Sequence, residues 1–336
     1  PALFAMTVGL SRVWRALGFA PSAVVGHSQG EVGAAVIAGA LSMEDAARVV
    51  VARSRLVKRL SGRGGMAVVE LPAESVTERL TPFEGALSIA VVNTSTSTVV
   101  SGDNGALDSL LKELEAENVY CKRVNVDYAS HSVHVDEIVP DLLEALEGIE
   151  PGPTVVPFYS TVTGEVTDGE SLGADYWCRN LRDPVRFDHA LSALMSAGAG
   201  TFIEVSAHPV LAMPLTTACS EVHGVVVGSL RRDEGGFEQI QRSVAALHTQ
   251  GIRVDWEQLL ADVGGELTLL PTYAFQHQRF WEDPPAAIAH VTSAGLSSAE
   301  HPILGAATGL ADTDGYLLTG RLSRLDDPWL ADHAVF

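Results

Sequence analysis

From Phe4 to Trp14 apolar residues recur at helical spacing, which predicts a helix with one buried face. The run Ala23-Val24-Val25-Gly26-His27-Ser28 then reads as a short buried strand, and EVGAAVIAGAL (31–41) as a helix built of small residues. Ser42-Met43-Glu44-Asp45 is a capping signal that opens a further helix running to about Leu60. Between Gly62 and Val126 the period changes. MAVVEL, a helical stretch, LSIAVVN, STVVSG, the helix ALDSLLKELEAEN and YCKRVNV follow in turn, the βαββαβ order of a ferredoxin-like unit. Helical spacing returns from Val133 to Leu146, followed by a strand (TVVPFYST), a helix from Phe187 to Ala197, the strands TFIEVS and GVVVGSL, and the helical QIQRSVAALHTQG and VDWEQLL. LPTYAFQHQRFW (270–281) fits neither period. The Pro, Ala, Gly and Ser of EDPPAAIAHVTSAGLSSAE read as a linker, and a new unit begins near His301. No internal repeat is visible. The pattern predicts an α/β protein with a small α+β domain inserted into a larger one.

Composition narrows the class. With 336 residues, 46% of them hydrophobic, the chain can bury the cores of two or more units. A formal net charge of -20 repels polyanions, which argues against nucleic acid and anionic membrane as partners. Cys121, Cys178 and Cys219 lie far apart without a C-x-x-C pair, so neither a disulfide framework nor a metal site is expected, and a reducing cytoplasm suits them. The first residues lack the basic flank, apolar core and cleavage site of a signal peptide, and no apolar run reaches membrane-spanning length. Both ends suggest a piece of a longer polypeptide.

The candidate chemistry starts at Gly26-His27-Ser28-Gln29-Gly30. A serine hydroxyl is a weak nucleophile, so it needs an exposed position on a sharp turn, a base, and donors for the oxyanion it creates. G-x-S-x-G between a strand and a helix supplies the turn, with Gly26 and Gly30 leaving room for the elbow and the Gln29 amide aimed at the oxyanion. On the helix from Ser42, Ala46, Val49, Val50, Leu56, Val57 and Leu60 form an apolar stripe, and Arg53 falls inside it, whereas Arg48, Arg55 and Arg59 lie on another side. A guanidinium among apolar neighbours must find an anion. Either a buried Asp or Glu or the carboxylate of a substrate answers that need. For the base, His131 in YASHS stands between the last strand of the inserted unit and a helix, with His134 as its competitor.

These segments together closely resemble the acyltransferase domain of bacterial modular type I polyketide synthases. GHSQGE (26–31), Arg53, YASH (128–131), YWCRNLRDPVRF (176–187), EVSAHPVL (204–211) and LPTYAFQHQRFW occur in that family's order, with Ala274 where the family usually has proline. The resemblance implies an α/β-hydrolase-like acyltransferase core over 1–61 and 127–230, a ferredoxin-like subdomain over 62–126, a post-acyltransferase linker over 231–300, and the truncated hot-dog start of a dehydratase over 301–336. It implies that Ser28 carries the acyl group, His131 is the general base and acid, Arg53 holds a free carboxylate, and Gln29 gives one oxyanion donor. It places the backbone carbonyl that orients the histidine at Asn180. A second oxyanion donor comes, in the family, from a Gly-Gln-Gly loop that precedes the residues present.

The same resemblance sets substrate and partners. YASH with GHSQG goes with methylmalonyl units, Ser130 leaving space beside the α-carbon and Tyr128 counted with it, Arg53 and Gln29 as substrate-binding; a His-Ala-Phe-His version, with an aliphatic residue after the serine, goes with malonyl, the alternative. The substrate is methylmalonyl-CoA, the acceptor is the phosphopantetheine thiol of an acyl carrier protein, and no cofactor is bound by the segment. Ketosynthase and dehydratase domains are partners within the polypeptide. His333 matches the dehydratase histidine, but the rest of that site is missing. A serine thioesterase or lipase-like hydrolase, with His208 as its late histidine, and a non-catalytic docking scaffold are the rival readings.

Overall fold

Helix α1 (Ala2–Ala16) turns Val8, Ser11 and Trp14 inward, the face that its spacing predicts. Strand β1 (Val24–Val25) leads through the Gly26 to Gln29 turn into α2 (Gly30–Ala38), whose Val32, Ala34, Ala35 and Ala38 are buried and which stops at Gly39 in the left-handed conformation. Ser42 caps α3 (Met43–Val57) as its side chain accepts the Asp45 N–H, and one further 3-10 turn carries the chain to Leu60. The structure, a computed structural model, describes residues 1–220, 224–260, 268–278, 280, 290–325 and 327–332, and it divides into two compact units, Pro1–Gly265 and Glu266–Phe336.

The stretch from β2 (Gly64–Val69) through α4 (Ala73–Leu80), β3 (Leu87–Thr94), β4 (Ser97–Asp103) and α5 (Asn104–Ala116) to β5 (Cys121–Arg123) has the predicted βαββαβ order. Its strands lie side by side as β5-β2-β4-β3, all antiparallel. Alternation along β2 sorts the side chains: Ala67 and Val69 meet Val76, Leu107, Leu110 and Leu114 of α4 and α5, while Met66 faces the other way. That second face is covered from outside the insert. After α6 (Val139–Ala145), β6 (Phe158–Tyr159), β7 (Val166–Thr167) and α7 (Ala174–Arg182), strand β8 (Val185–Arg186) joins the sheet parallel to β3. Helix α8 (Phe187–Ser196) then packs Phe187, Leu191 and Leu194 against Met66, Val91 and Val99. The insert is thus locked to its host by a shared sheet edge and a shared core.

Elsewhere β1, β6 and β7 form a small sheet, with β1 and β6 parallel. A two-stranded parallel sheet pairs β9 (Thr201–Glu204) with β10 (Val225–Gly228), the helix α9 (Ala212–Cys219) lying between them in sequence. Proline shapes two differences from the predicted elements. Pro140 sits in the first turn of α6, so the expected helix from Val133 is a 3-10 stretch (Val133–Glu137) followed by a separate α-helix. Pro157 breaks the expected strand TVVPFYST, leaving only Phe158 and Tyr159 in the sheet, while the Val155 and Val156 N–H groups donate to Ala38 at the end of α2.

Residues expected in the linker from 231 are structured over their first part: α10 (Phe237–Thr249) and α11 (Trp256–Leu260) return to α1. Ile240, Val244 and Leu247 share a core with Trp14 and Leu17, the Trp14 indole donates to the Ser229 hydroxyl, and the Gln258 amide donates to the Ala16 carbonyl. In the second unit the described part of LPTYAFQHQRFW has no regular structure, and β11 (Ser297–Ser298), β12 (Ala306–Gly309) and β13 (Tyr316–Thr319) form an antiparallel sheet. No described helix is long and apolar enough to cross a membrane. Because Val244 is fully buried against α1, Val244→Asp strands a carboxylate in that core. It should lower unfolding stability by roughly 2 kcal/mol or more in a denaturant titration; an unchanged midpoint would show that α10 does not dock there.

Candidate active site

The turn between β1 and α2 is tight because the chain reverses onto itself. A Cβ at Gly26 would lie 2.2 Å from the Glu31 nitrogen, so only glycine fits, whereas a Cβ at Gly30 would meet nothing within 4 Å. The expectation that both glycines relieve the elbow therefore holds for Gly26 alone. Ser28, between them, has φ +52°, a conformation that costs a non-glycine residue energy and presents its side chain at the tip of the turn. The Gln29 N–H stands ahead of the first helical turn and finds no acceptor among the described residues.

Two side chains from distant elements reach the Ser28 hydroxyl. His131 Nε2 lies 2.8 Å from Ser28 Oγ, and Arg53 Nη2 donates to the same oxygen at 3.2 Å. His131 also has a positive φ, +58°, and its backbone N–H donates to the Leu181 carbonyl. Its Nδ1 lies 2.8 Å from the Asp183 carbonyl, which can only accept, so the proton sits on Nδ1 and Nε2 is left as the acceptor for the serine. The orienting carbonyl is accordingly that of Asp183 and not, as expected, that of Asn180. The reason is local: α7 ends at Arg182, so carbonyls just past its last turn are free to accept, and the ring reaches the last of them. Burial, with the Arg53 charge as the next cause, depresses the His131 pKa to about 3.

Arg53 is 7% exposed and makes no ion pair with a carboxylate among the described residues. Its Nη1 instead donates to Asn180 Oδ1 at 2.6 Å. The Asn180 amide donates in turn to Glu31 Oε2 at 2.7 Å and to the Ser28 carbonyl at 3.1 Å. Burial lowers the Arg53 pKa only to about 10, so the guanidinium stays charged near neutrality. Of the two answers foreseen for this arginine, the buried carboxylate is near, but an amide stands between it and the guanidinium. Glu31 is fully buried and accepts also from the Thr161 N–H, the Thr161 hydroxyl (2.9 Å) and the Tyr176 hydroxyl (2.7 Å); burial still raises its pKa to about 6.

The remaining candidates fall as follows. Tyr128 is half-buried against the core beside Arg53, and the buried Ser130 turns its hydroxyl to Met66 Sδ at 3.4 Å. His134 is turned away from Ser28, its Nε2 2.7 Å from Asp103 Oδ1. His208 accepts the Arg232 N–H through Nδ1, and His131 holds the place beside Ser28 that the hydrolase reading gave to a late histidine. His333 and Trp281 lie outside the described residues. Sequence reasoning missed two residues. Glu31 could have been found as the only charge in a helix otherwise made of small and apolar residues. His27, half-buried, with its ring edge-on to Phe187 and Nε2 3.2 Å from Asn93 Oδ1, ties the turn to β3; nothing in its local sequence marks that contact.

Residues 1–254 match the family model described as acyl transferase domain, and residues 301–336 match that described as polyketide synthase dehydratase domain. Among curated proteins, "Polyketide synthase GfsB" of Streptomyces halstedii is 50% identical over 339 residues, covering 100% of this chain and 6% of its own length. "Mycoketide-CoA synthase" of Mycobacterium tuberculosis is 45% identical, again over 100% of this chain and 8% of its own. The chain thus spans less than a tenth of these relatives. Among solved structures, the acyltransferase domain from module 8 of the salinomycin polyketide synthase superposes with a TM-score of 0.75 at 49% identity, covering 77% of this chain and 62% of its own. A loading acyltransferase of the avermectin synthase gives 0.71 at 38%, covering 73% and 78%.

With a pKa depressed to about 3, His131 is neutral at every pH above that value. In ¹⁵N spectra of histidine-labelled protein its ring should keep the neutral signature from pH 8 down to pH 5, and a midpoint near 6.5 would show that the ring is not buried as described.

Proposed function

The chain belongs to the acyl transferase domain family of modular polyketide synthases and carries the start of a dehydratase domain, and on that premise we propose that it transfers a methylmalonyl unit from CoA to an acyl carrier protein through an acyl ester on Ser28. The observation that carries this reading is the sharing of one hydroxyl: Ser28 Oγ lies within hydrogen-bond reach of a neutral imidazole nitrogen and of a buried, charged guanidinium.

In the first half-reaction Arg53 takes the free carboxylate of the CoA thioester and so places the thioester carbonyl over Ser28. The hydroxyl attacks, its proton passes to His131 Nε2, and the imidazolium is steadied by the Asp183 carbonyl on Nδ1. The carbonyl oxygen becomes an oxyanion that the Gln29 N–H is placed to receive. Collapse expels CoA as its thiol, which takes the proton from His131. The second half-reaction reverses the roles: the phosphopantetheine thiol of the carrier protein gives its proton to His131, attacks the acyl ester, and Ser28 leaves as the alcohol. No bound cofactor enters. The acyl carrier protein, with ketosynthase and dehydratase domains of the same polypeptide, completes the set of partners.

Methylmalonyl is favoured over malonyl by the small Ser130 where the malonyl version of the motif has phenylalanine. One methyl group in a pocket is worth about 1 to 3 kcal/mol, so selection between the two should be marked without being absolute. The test is intact-mass analysis of the intact protein offered methylmalonyl-CoA and malonyl-CoA together. A methylmalonyl adduct should dominate by about tenfold or more and vanish in Ser28→Ala. A dominant malonyl adduct overturns the choice of substrate, and an adduct that survives Ser28→Ala overturns the nucleophile.

A further inference from the structure

Glu31 is the most heavily bonded carboxylate in the described structure and has no part in the steps above. It lies one turn beyond the nucleophile, fully buried, and binds no cation directly. What it does bind is informative. The Thr161 backbone and hydroxyl hold one oxygen, and the Tyr176 hydroxyl and Asn180 amide hold the other.

An amide side chain can face a charged pair in two ways, related by a flip that exchanges its oxygen and its NH2 group. Between Glu31 and Arg53 only one is tolerable. A carboxylate only accepts, so the NH2 group must face Glu31; a guanidinium only donates, so the oxygen must face Arg53. The third contact requires the same polarity, since the Ser28 carbonyl, 3.1 Å from Asn180 Nδ2, also only accepts. The amide thus passes the sign of the buried carboxylate to the guanidinium without touching it with a full charge.

We propose that Glu31 is a positioning residue for carboxylated thioesters: through the fixed Asn180 amide it aims Arg53 at the Ser28 hydroxyl while leaving the guanidinium's charge to be met by the substrate. A carboxylate directly on Arg53 would compete with the substrate for it; no carboxylate at all would leave the Ser28 carbonyl alone to hold the amide, at 3.1 Å, and loosen its grip on the guanidinium. This rests on the reading of Arg53 given above and deepens it.

The test compares acylation of Ser28 by methylmalonyl-CoA and by propionyl-CoA, the same thioester without the carboxylate, in the intact protein. Glu31→Gln keeps the shape but, with its oxygen held by the two Thr161 donors, sets an NH2 group against the Asn180 NH2 and disturbs the bridge. It should lower kcat/KM for methylmalonyl-CoA about tenfold, chiefly through KM, and leave propionyl-CoA within about twofold, because a guanidinium displaced by an ångström no longer meets the carboxylate. A merely structural role would depress both substrates together. Should Glu31→Gln fail to fold, Asn180→Ala gives the second reading: with the bridge gone Arg53 loses the acceptor on Nη1, and the same selective loss should follow. Arg53→Ala separates the two levels. Equal effects of Arg53→Ala on both thioesters overturn the underlying reading of Arg53. A selective effect of Arg53→Ala with none from Glu31→Gln or Asn180→Ala overturns the role of Glu31 alone.

Discussion

A guanidinium buried without a carboxylate directly upon it is the constraint around which this molecule is arranged. Leaving a buried charge uncompensated costs about 3 to 5 kcal/mol. Here that cost is moderated in steps: the Asn180 oxygen accepts from one nitrogen, the Ser28 hydroxyl from another, and the Glu31 charge acts from behind the amide. Each of those groups comes from a different element. Arg53 can therefore lie where it does only if α2, α3 and α7 pack in one arrangement, and the apolar core that they share enforces it.

The same arrangement keeps His131 neutral. Burial and the adjacent Arg53 charge both oppose its protonation, while the Asp183 carbonyl fixes which nitrogen holds the proton. An imidazole that is neutral and polarised in this way beside a hydroxyl needs no acidic side chain to orient it, because the Asp183 carbonyl just past α7 does so. Ser28 and His131, two of the five described non-glycine residues with left-handed backbone conformations, are both held there by neighbours, Gly26 for one and the Leu181 carbonyl for the other.

Much of this was legible locally. The elbow at Ser28, the arginine set in an apolar stripe, the capped start of α3 and the βαββαβ order all rest on residues a few positions apart, where periodicity and turn chemistry act. What escaped the sequence lies at long range. That Asn180 serves through its side chain, that Asp183 supplies the carbonyl, and that Glu31 anchors the amide depend on how α7 meets the turn, more than a hundred residues away in the chain. The closing of the inserted sheet by β8, and the return of α10 to α1, are of the same kind: two residues of strand and one amphipathic helix carry no local mark of what they pair with.

The central claim is that the serine and the arginine meet two ends of one small ligand. A crystal structure of the intact protein carrying a methylmalonyl ester on Ser28 measures it directly. The account predicts the free carboxylate within hydrogen-bond distance of the Arg53 guanidinium, with Asn180 still bridging to Glu31. A carboxylate turned to solvent or toward another cation, with Arg53 still bound as described here, would contradict it.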